Sequence, residues 1–135
     1  MAGLKRLGLS GAATSVLEID EFLPAVGQGV IAIETRADDE RTRNRLAAID
    51  DPAAATALAA ERGFLAMLDG SCRTPIAGHA RLIGGEVYFR GLIVKPDGSQ
   101  SFAAERRGAP ADAEALGRDA GRELKGRAGP DFFTQ

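Results

Sequence analysis

The fold predicted for this chain is decided by residues 76–108, IAGHARLIGGEVYFRGLIVKPDGSQSFAAERRG. Gly84-Gly85 joins two strand candidates, IAGHARLI and EVYFRGLIV, and a glycine pair between strands is a strong signal of a tight β-hairpin. PDG at 96–98 is a second turn signal. Hairpin connections of this length join antiparallel neighbours, so the sequence predicts a three-stranded antiparallel sheet. The predicted strands are residues 76–83, 86–94 and 99–107.

Two helices are predicted to flank this sheet. Asp51-Pro52 is a typical helix start, because aspartate caps the first turn and proline fits the first helical position. That helix is predicted to run to Leu68, with Gly70 as its stop, and a last helix from about Pro110 to Arg127. The order α-β-β-β-α indicates an α+β unit with both helices on one face of the sheet. The residues predicted to face the core are Leu58, Phe64, Leu65, Leu68, Val87, Phe89, Gly91, Ile93, Leu116, Ala120 and Leu124.

Composition excludes several classes of protein. The 135 residues carry 17 Lys and Arg against 19 Asp and Glu, and this near-neutral charge gives no case for nucleic-acid binding. No apolar run approaches the ~20 residues that span a bilayer, so no membrane partner is expected. One cysteine and one histidine cannot form a Cys/His zinc site, so no metal is expected. A single cysteine also indicates a reducing, cytoplasmic setting.

The first 50 residues do not predict a self-contained unit. Residues 1–9 are typical of the last turns of a helix that ends at Gly8. GVIAIET (29–35) is a nearly continuous apolar run, as in a strand buried on both faces of a parallel sheet. Asp38-Asp39 precede a helix that ends near Ala48. Because the sequence offers no partner strands for residues 29–35, we expect the chain to belong to a larger protein.

Two short segments could carry chemistry. Cys72 lies in DGSCRTP (69–75) beside Arg73, whose positive charge favours the nucleophilic thiolate, but local context alone favours an inert small residue packed under a loop, because buried unreactive cysteines are common. The turn Gly27-Gln28-Gly29 either lets the backbone approach a ligand closely or is a plain turn. It lacks the spacing of a phosphate-binding loop. His79 is predicted to be structural.

Fourteen arginines stand against three lysines. Guanidinium groups grip carboxylates in a bidentate manner, so this excess suits an acidic substrate. Solvated charged faces would give the same excess, and the alternative stays open.

Taken together, these segments resemble the hydroxymethylbilane synthases, also called porphobilinogen deaminases. The resemblance depends on three patterns in this order: GQG-x-x-x-IE, ER-x-FL and DG-x-C-x-x-P. It covers nearly the whole chain. The matching stretches are AGLKRLGL (2–9), LPAVGQGVIAIETRADD (23–39), AAERGFLAMLDGSCRTPIAGHA (59–80), KPDGSQ (95–100) and ERRGAP (105–110).

The resemblance implies that Cys72 holds a dipyrromethane cofactor through a thioether. This cofactor is the primer onto which four porphobilinogen units are condensed head to tail with release of ammonia, and hydrolysis frees hydroxymethylbilane. Arg6 falls on the arginine of the GL-x-RLG motif, which contacts acidic side chains of cofactor or substrate. Gln28 and Gly29 fall on positions that line the cleft. No catalytic residue is assigned in this chain, because the family's catalytic aspartate and most substrate-binding arginines match no position here.

The resemblance also implies a division into parts of three domains, the first two of which are α/β and similar to periplasmic binding proteins. Residues 1–23 correspond to the end of the second domain, 24–50 to a strand-helix segment that completes the first, and 52–135 to the third, cofactor-carrying domain. We therefore expect this polypeptide alone to be inactive and to carry no cofactor.

Two other functions stay open at this point. The third-domain unit could be a non-enzymatic interaction module, self-associating through the exposed strand 29–35, because an unpaired apolar edge invites pairing. Alternatively, Cys72 could be the centre of a redox-sensing domain.

Overall fold

A three-stranded antiparallel sheet lies against two helices in the computed structural model, which describes residues 2–68 and 75–133. The strand order is that of the chain, and both helices pack on one face of the sheet, so the predicted α+β unit is confirmed. The elements are α1 (Ala2–Arg6), α2 (Glu40–Leu46), α3 (Pro52–Met67), β1 (Ile76–Ile83), β2 (Glu86–Val94), β3 (Ser101–Gly108) and α4 (Ala113–Ala128).

The hairpin between β1 and β2 forms where the glycine pair predicts it. Ile83 pairs with Glu86 across the turn, and Gly84 and Gly85 have φ angles of 59° and 84°. Two successive positive φ angles match the right-handed twist of the flanking strands and favour glycine. The register that follows places Gly78 opposite Gly91.

The core lies between the sheet and the two helices. Val87, Phe89 and Ile93 of β2 are fully buried, and the ring of Phe64 on α3 lies 5.1 Å from that of Phe89. Side chains of β2 therefore alternate as predicted, since every second residue faces the helices. Of the residues predicted to face the core, Leu58, Leu65 and Leu116 are half-buried and the others are buried.

The two helices contact each other backbone to backbone. A Cβ atom on Gly117 of α4 would overlap the carbonyl oxygen of Ala60 on α3, and one on Gly63 would overlap the carbonyl oxygen of Glu114. A Cβ on Gly121 would lie 2.8 Å from the carbonyl oxygen of Phe64. Glycine is therefore required at these positions by the distance between the helices.

Aspartate side chains cap the starts of α2 and α3. Asp51 accepts hydrogen bonds from the amides of Ala53 (2.9 Å) and Ala54 (3.1 Å). Asp39 accepts from the amide of Thr42 (3.0 Å), and this bond holds the pKa of Asp39 below its usual range. These three bonds satisfy amides that have no partner within the helix.

The strand predicted for residues 29–35 is wrong for this structure. Residues 30–36 form neither helix nor strand, and Ile31 is 88% exposed. A strand exists through the hydrogen bonds of its ladder, and none of the described strands pairs with these residues. The predicted helix end before Gly8 is confirmed by α1, with Gly8 at φ 71°.

Within the described ranges, no helix combines the length and apolar character needed to cross a bilayer. Those same residues contain no group of three or more metal-ligating side chains.

Candidate functional site

Residues 24–29 lie along the outer edge of β1. The carbonyl oxygen of Pro24 accepts a hydrogen bond from the amide of Gly78 (3.0 Å), and Val26 packs against the hydrophobic core. A Cβ on Gly78 would come within 3.1 Å of the Val26 side chain, so the segment packs closely on this strand position and a larger residue there would have to displace Val26. The segment therefore covers an edge that would otherwise present unpaired backbone groups.

The turn at Gly27-Gln28-Gly29 is closed by its own hydrogen bonds. The amide of Gln28 donates to the carbonyl of Ala25 (3.1 Å), and that of Val30 to the carbonyl of Gly27 (3.2 Å). The side chain of Gln28 folds back, since its Oε1 accepts from the amide of Ala25 (3.2 Å). Gly27 and Gly29 have φ angles of 68° and 88°, which explains the glycines on either side of Gln28.

A buried carboxylate, Glu61 of α3, holds this turn in place. Its Oε2 accepts a hydrogen bond from the amide of Gly27 (2.7 Å), and its Oε1 accepts from the amide of Ala80 on β1 (2.8 Å). His79 Nδ1 lies 3.5 Å from the same Oε1. Glu61 is 6% exposed, and its two backbone bonds compensate for the loss of hydration.

Glu61 is the functional candidate that the sequence interpretation missed, although a signal was present. It lies three residues before Phe64 and seven before Leu68, and therefore on the face predicted to be buried. A carboxylate on a buried helix face needs a partner, so its position alone should have predicted a contact of this kind.

The predicted site residues are not all brought together. Gln28 and Gly29 are exposed in the turn, and Arg6 is exposed in α1. Among the described residues, Arg6 has no ion-pair partner, and no hydrogen bond joins it to the turn. Cys72 lies outside the described residues, between α3 and β1. The roles assigned to these four residues remain predictions.

An open cavity of about 770 Å³ lies beside the turn. Residues 29–35 form one wall, and α2 and the first half of α3 form the other. Its lining includes the apolar side chains Val30, Ile33, Leu46, Ile49 and Leu58. The run predicted to be a buried strand therefore faces apolar helix surface across an open space.

Several arginines are occupied by acidic side chains of this chain. Arg106 on β3 donates to Asp119 (2.7 Å) and Glu123 (2.6 Å) on α4. The bond from Arg106 holds the pKa of Glu123 below its usual range. Arg81 and Arg90 both contact Asp20 across the sheet face away from the helices. These arginines stabilise contacts between elements of the fold.

Comparison with known proteins places both parts of the chain in one family. A family model described as "Porphobilinogen deaminase, C-terminal domain" matches residues 55–126, and another described as "Porphobilinogen deaminase, dipyromethane cofactor binding domain" matches residues 1–44. Cys72 falls within the first match.

Individual relatives agree with the family models. The porphobilinogen deaminase of Nitrobacter hamburgensis is 62% identical over 99% of this chain and 42% of its own length. That of Paracoccus denitrificans is 56% identical over 98% of this chain and 42% of its own length. The chloroplastic porphobilinogen deaminase of Oryza sativa is 49% identical over 98% of this chain and 38% of its own length. The chain thus spans about two fifths of the length of these curated relatives. It belongs to the porphobilinogen deaminase family.

Proposed function

We propose that this chain is the cofactor-anchoring part of an enzyme that condenses four porphobilinogen units head to tail, releases ammonia and yields hydroxymethylbilane. The observation that carries the proposal is the ordered match of one family to residues 1–44 and 55–126, with the sole cysteine inside the second match. We further propose that the sulfur of Cys72 holds the dipyrromethane primer as a thioether. A thiolate is the strongest candidate nucleophile for a primer's methylene carbon.

Three exposed residues, Gln28 and Gly29 in the turn and Arg6 in α1, have the chemistry that such a cofactor needs. Bound dipyrromethane supplies the pyrrole to which the next unit is joined. The Gln28 carboxamide can donate to a carboxylate and accept from a pyrrole N–H, and a Cβ placed on Gly29 would meet no atom within 4 Å. The guanidinium of Arg6 has no acidic partner among the described residues and suits an acetate or propionate group. A free thiol also favours a reducing compartment such as the cytoplasm.

The proposal is tested by joining this chain to the part of the Nitrobacter hamburgensis enzyme that it does not match. With porphobilinogen, we expect this chimera to release ammonia and to gain a dipyrromethane mass that maps to Cys72. The Cys72→Ser variant should lack the covalent mass, because a hydroxyl is a far poorer nucleophile at neutral pH. If the serine variant built hydroxymethylbilane as fast as the unmodified chimera, the assignment of Cys72 would be wrong.

The 135-residue polypeptide alone is expected to give no adduct. No residue here matches the family's catalytic aspartate, so the chain lacks the proton-transferring group that pyrrole activation requires. Intact mass spectrometry after incubation with porphobilinogen measures this directly. A dipyrromethane adduct on the isolated chain would contradict the expectation.

A second function, self-association, is favoured by the apolar surface beside the 770 Å³ cavity. Ile31 and Ile33 are 88% and 55% exposed, which leaves apolar area unburied in the isolated chain. We propose that a second copy covers this surface when the rest of the enzyme is absent. Light scattering should then show a dimer for the chain and a monomer for Ile31→Lys/Ile33→Lys. Leu9→Lys, which changes an exposed leucine elsewhere, is the control, and a monomeric unmodified chain would contradict the proposal.

A further inference from the structure

We propose that Glu61 is a positioning residue that fixes the Gly27-Gln28-Gly29 turn relative to β1, the strand that comes next in the chain after Cys72. This inference rests on the proposed function, in which the turn and Cys72 face one cofactor. If the turn and Cys72 contact the same cofactor, the distance between the turn and the strand after Cys72 must be held constant. Glu61 is the side chain that contacts both the turn and the strand.

The two carboxylate oxygens of Glu61 are divided between two segments that are distant in sequence. Oε2 binds the amide of Gly27, 34 residues earlier, and Oε1 binds the amide of Ala80, 19 residues later. Ala80 lies on the edge strand, whose other side pairs with β2. Neither bond belongs to α3, so neither is needed to form that helix.

A carboxylate is the group that this geometry requires. Both partners are main-chain N–H donors, and a carboxylate offers two acceptor oxygens with no hydrogen of its own. Glutamine has the same shape but only one acceptor, and its NH₂ group would face an N–H donor. Aspartate has two acceptors but is one methylene shorter. Glu61→Gln therefore removes one of the two bonds while it preserves the packing volume.

Without Glu61, the remaining contacts hold only the beginning of the segment at residues 24–29 in place. Pro24 bonds Gly78 at 3.0 Å and Val26 packs on the core, so the beginning of the segment is held independently. Gly27 lies beyond these anchors, and among the described residues its amide bond to Glu61 is the last hydrogen bond that joins the segment to β1 or α3 before Gln28. The exposed residues Gln28 and Gly29 follow directly, so their position depends on this bond.

The first test is amide hydrogen exchange by NMR, with Glu61→Gln compared with the exposed control Glu114→Gln. We expect the Gly27 or the Ala80 amide to exchange about tenfold faster or more in Glu61→Gln, because the single oxygen of glutamine can hold only one of the two donors. The Leu124 and Phe89 amides should change less than about twofold. Unchanged exchange at both Gly27 and Ala80, or an equal increase at all amides, would overturn the proposal.

The unmodified chain gives an independent check that needs no variant to fold. The Gly27 amide should be protected about tenfold or more relative to that of Gly29, which donates no hydrogen bond to any described residue. Equal exchange at the two glycines would refute the contact itself.

The second test uses the chimera with the Nitrobacter hamburgensis enzyme. Glu61→Gln should keep the dipyrromethane mass on Cys72, because the substitution does not alter the thiol. It should raise the KM for porphobilinogen about threefold or more, because the turn at residues 27–29 is displaced. Altered exchange at Gly27 with an unchanged KM would reject the positioning role. Failure of the proposed function is distinguishable, because the unmodified chimera would then gain no mass while the exchange results would be unaffected.

Discussion

Replacing Gly117 by alanine is expected to destabilise the chain by about 3 kcal/mol or more, which places this change at the upper end of overpacking effects. The new Cβ would overlap the carbonyl oxygen of Ala60 and approach the amide nitrogen of Phe64 within 2.9 Å. Both atoms belong to the backbone of α3, so no side-chain rotation relieves the overlap. The helices must separate, and the core between them and the sheet must open. Urea unfolding followed by circular dichroism measures the change.

Gly126→Ala is the matched control for this prediction. Gly126 lies on the same helix, and a Cβ there meets no atom within 4 Å. Alanine should stabilise this position by up to about 1 kcal/mol, because glycine is the poorer helix former. Glycine-to-alanine substitutions at these two positions of one helix are thus expected to change the stability of the chain in opposite directions. If both variants changed stability by similar amounts, the close helix contact would be wrong.

Replacing Phe64 by alanine is expected to lower the free energy of unfolding by about 3–5 kcal/mol, the range measured when a buried aromatic residue is replaced by alanine. Its ring is fully buried, lies 5.1 Å from that of Phe89 and covers the two facing glycines of the sheet. A Cβ on Gly91 would lie 2.6 Å from the Phe64 ring, and one on Gly78 would lie 3.4 Å from it. The ring therefore occupies the space that side chains at those strand positions would fill. Phe22→Ala, which trims an exposed phenylalanine, should change stability by less than about 0.5 kcal/mol.

A double variant separates the loss of the ring from a general loss of stability. In the unmodified chain, Gly91→Ala should cost about 1–3 kcal/mol because of the overlap with Phe64. In the Phe64→Ala background most of that cost should vanish, since the clashing ring is gone. Additive effects of the two substitutions would show that the ring does not lie over Gly91.

Local signals were sufficient to predict the C-terminal unit. Gly84-Gly85 fixed the hairpin, and the alternation of Val87, Phe89 and Ile93 identified the buried face of β2. Asp51 marked the start of α3. In each case the residues that determine the element lie within it, so a single sequence carries the information.

Residues 29–35 show where local signals fail. The apolar run of Val30, Ile31 and Ile33 is typical of a buried strand, yet strand formation depends on hydrogen-bond partners from other segments. The sequence of these seven residues alone does not show whether a neighbouring strand is present to form hydrogen bonds with them.

The candidate site was predicted in part. The glycines around Gln28 predicted a tight turn, and positive φ angles at Gly27 and Gly29 confirm it. Glu61 was missed because its partners lie 34 and 19 residues away, a separation that no local period reveals. The role of Cys72 came from the family resemblance and not from its neighbours, whose charge and spacing favour an inert residue.

The cover on the edge of β1 has a consequence for synthesis. Pro24 and Gly27 precede the strand by about fifty residues, and Glu61 also precedes it. The residues that cover this edge are therefore synthesised before the strand itself. The groups that cover the outer edge of β1 are therefore available as soon as the strand is made, although β2, which pairs with its other edge, comes later, and nascent copies on neighbouring ribosomes compete poorly for that outer edge.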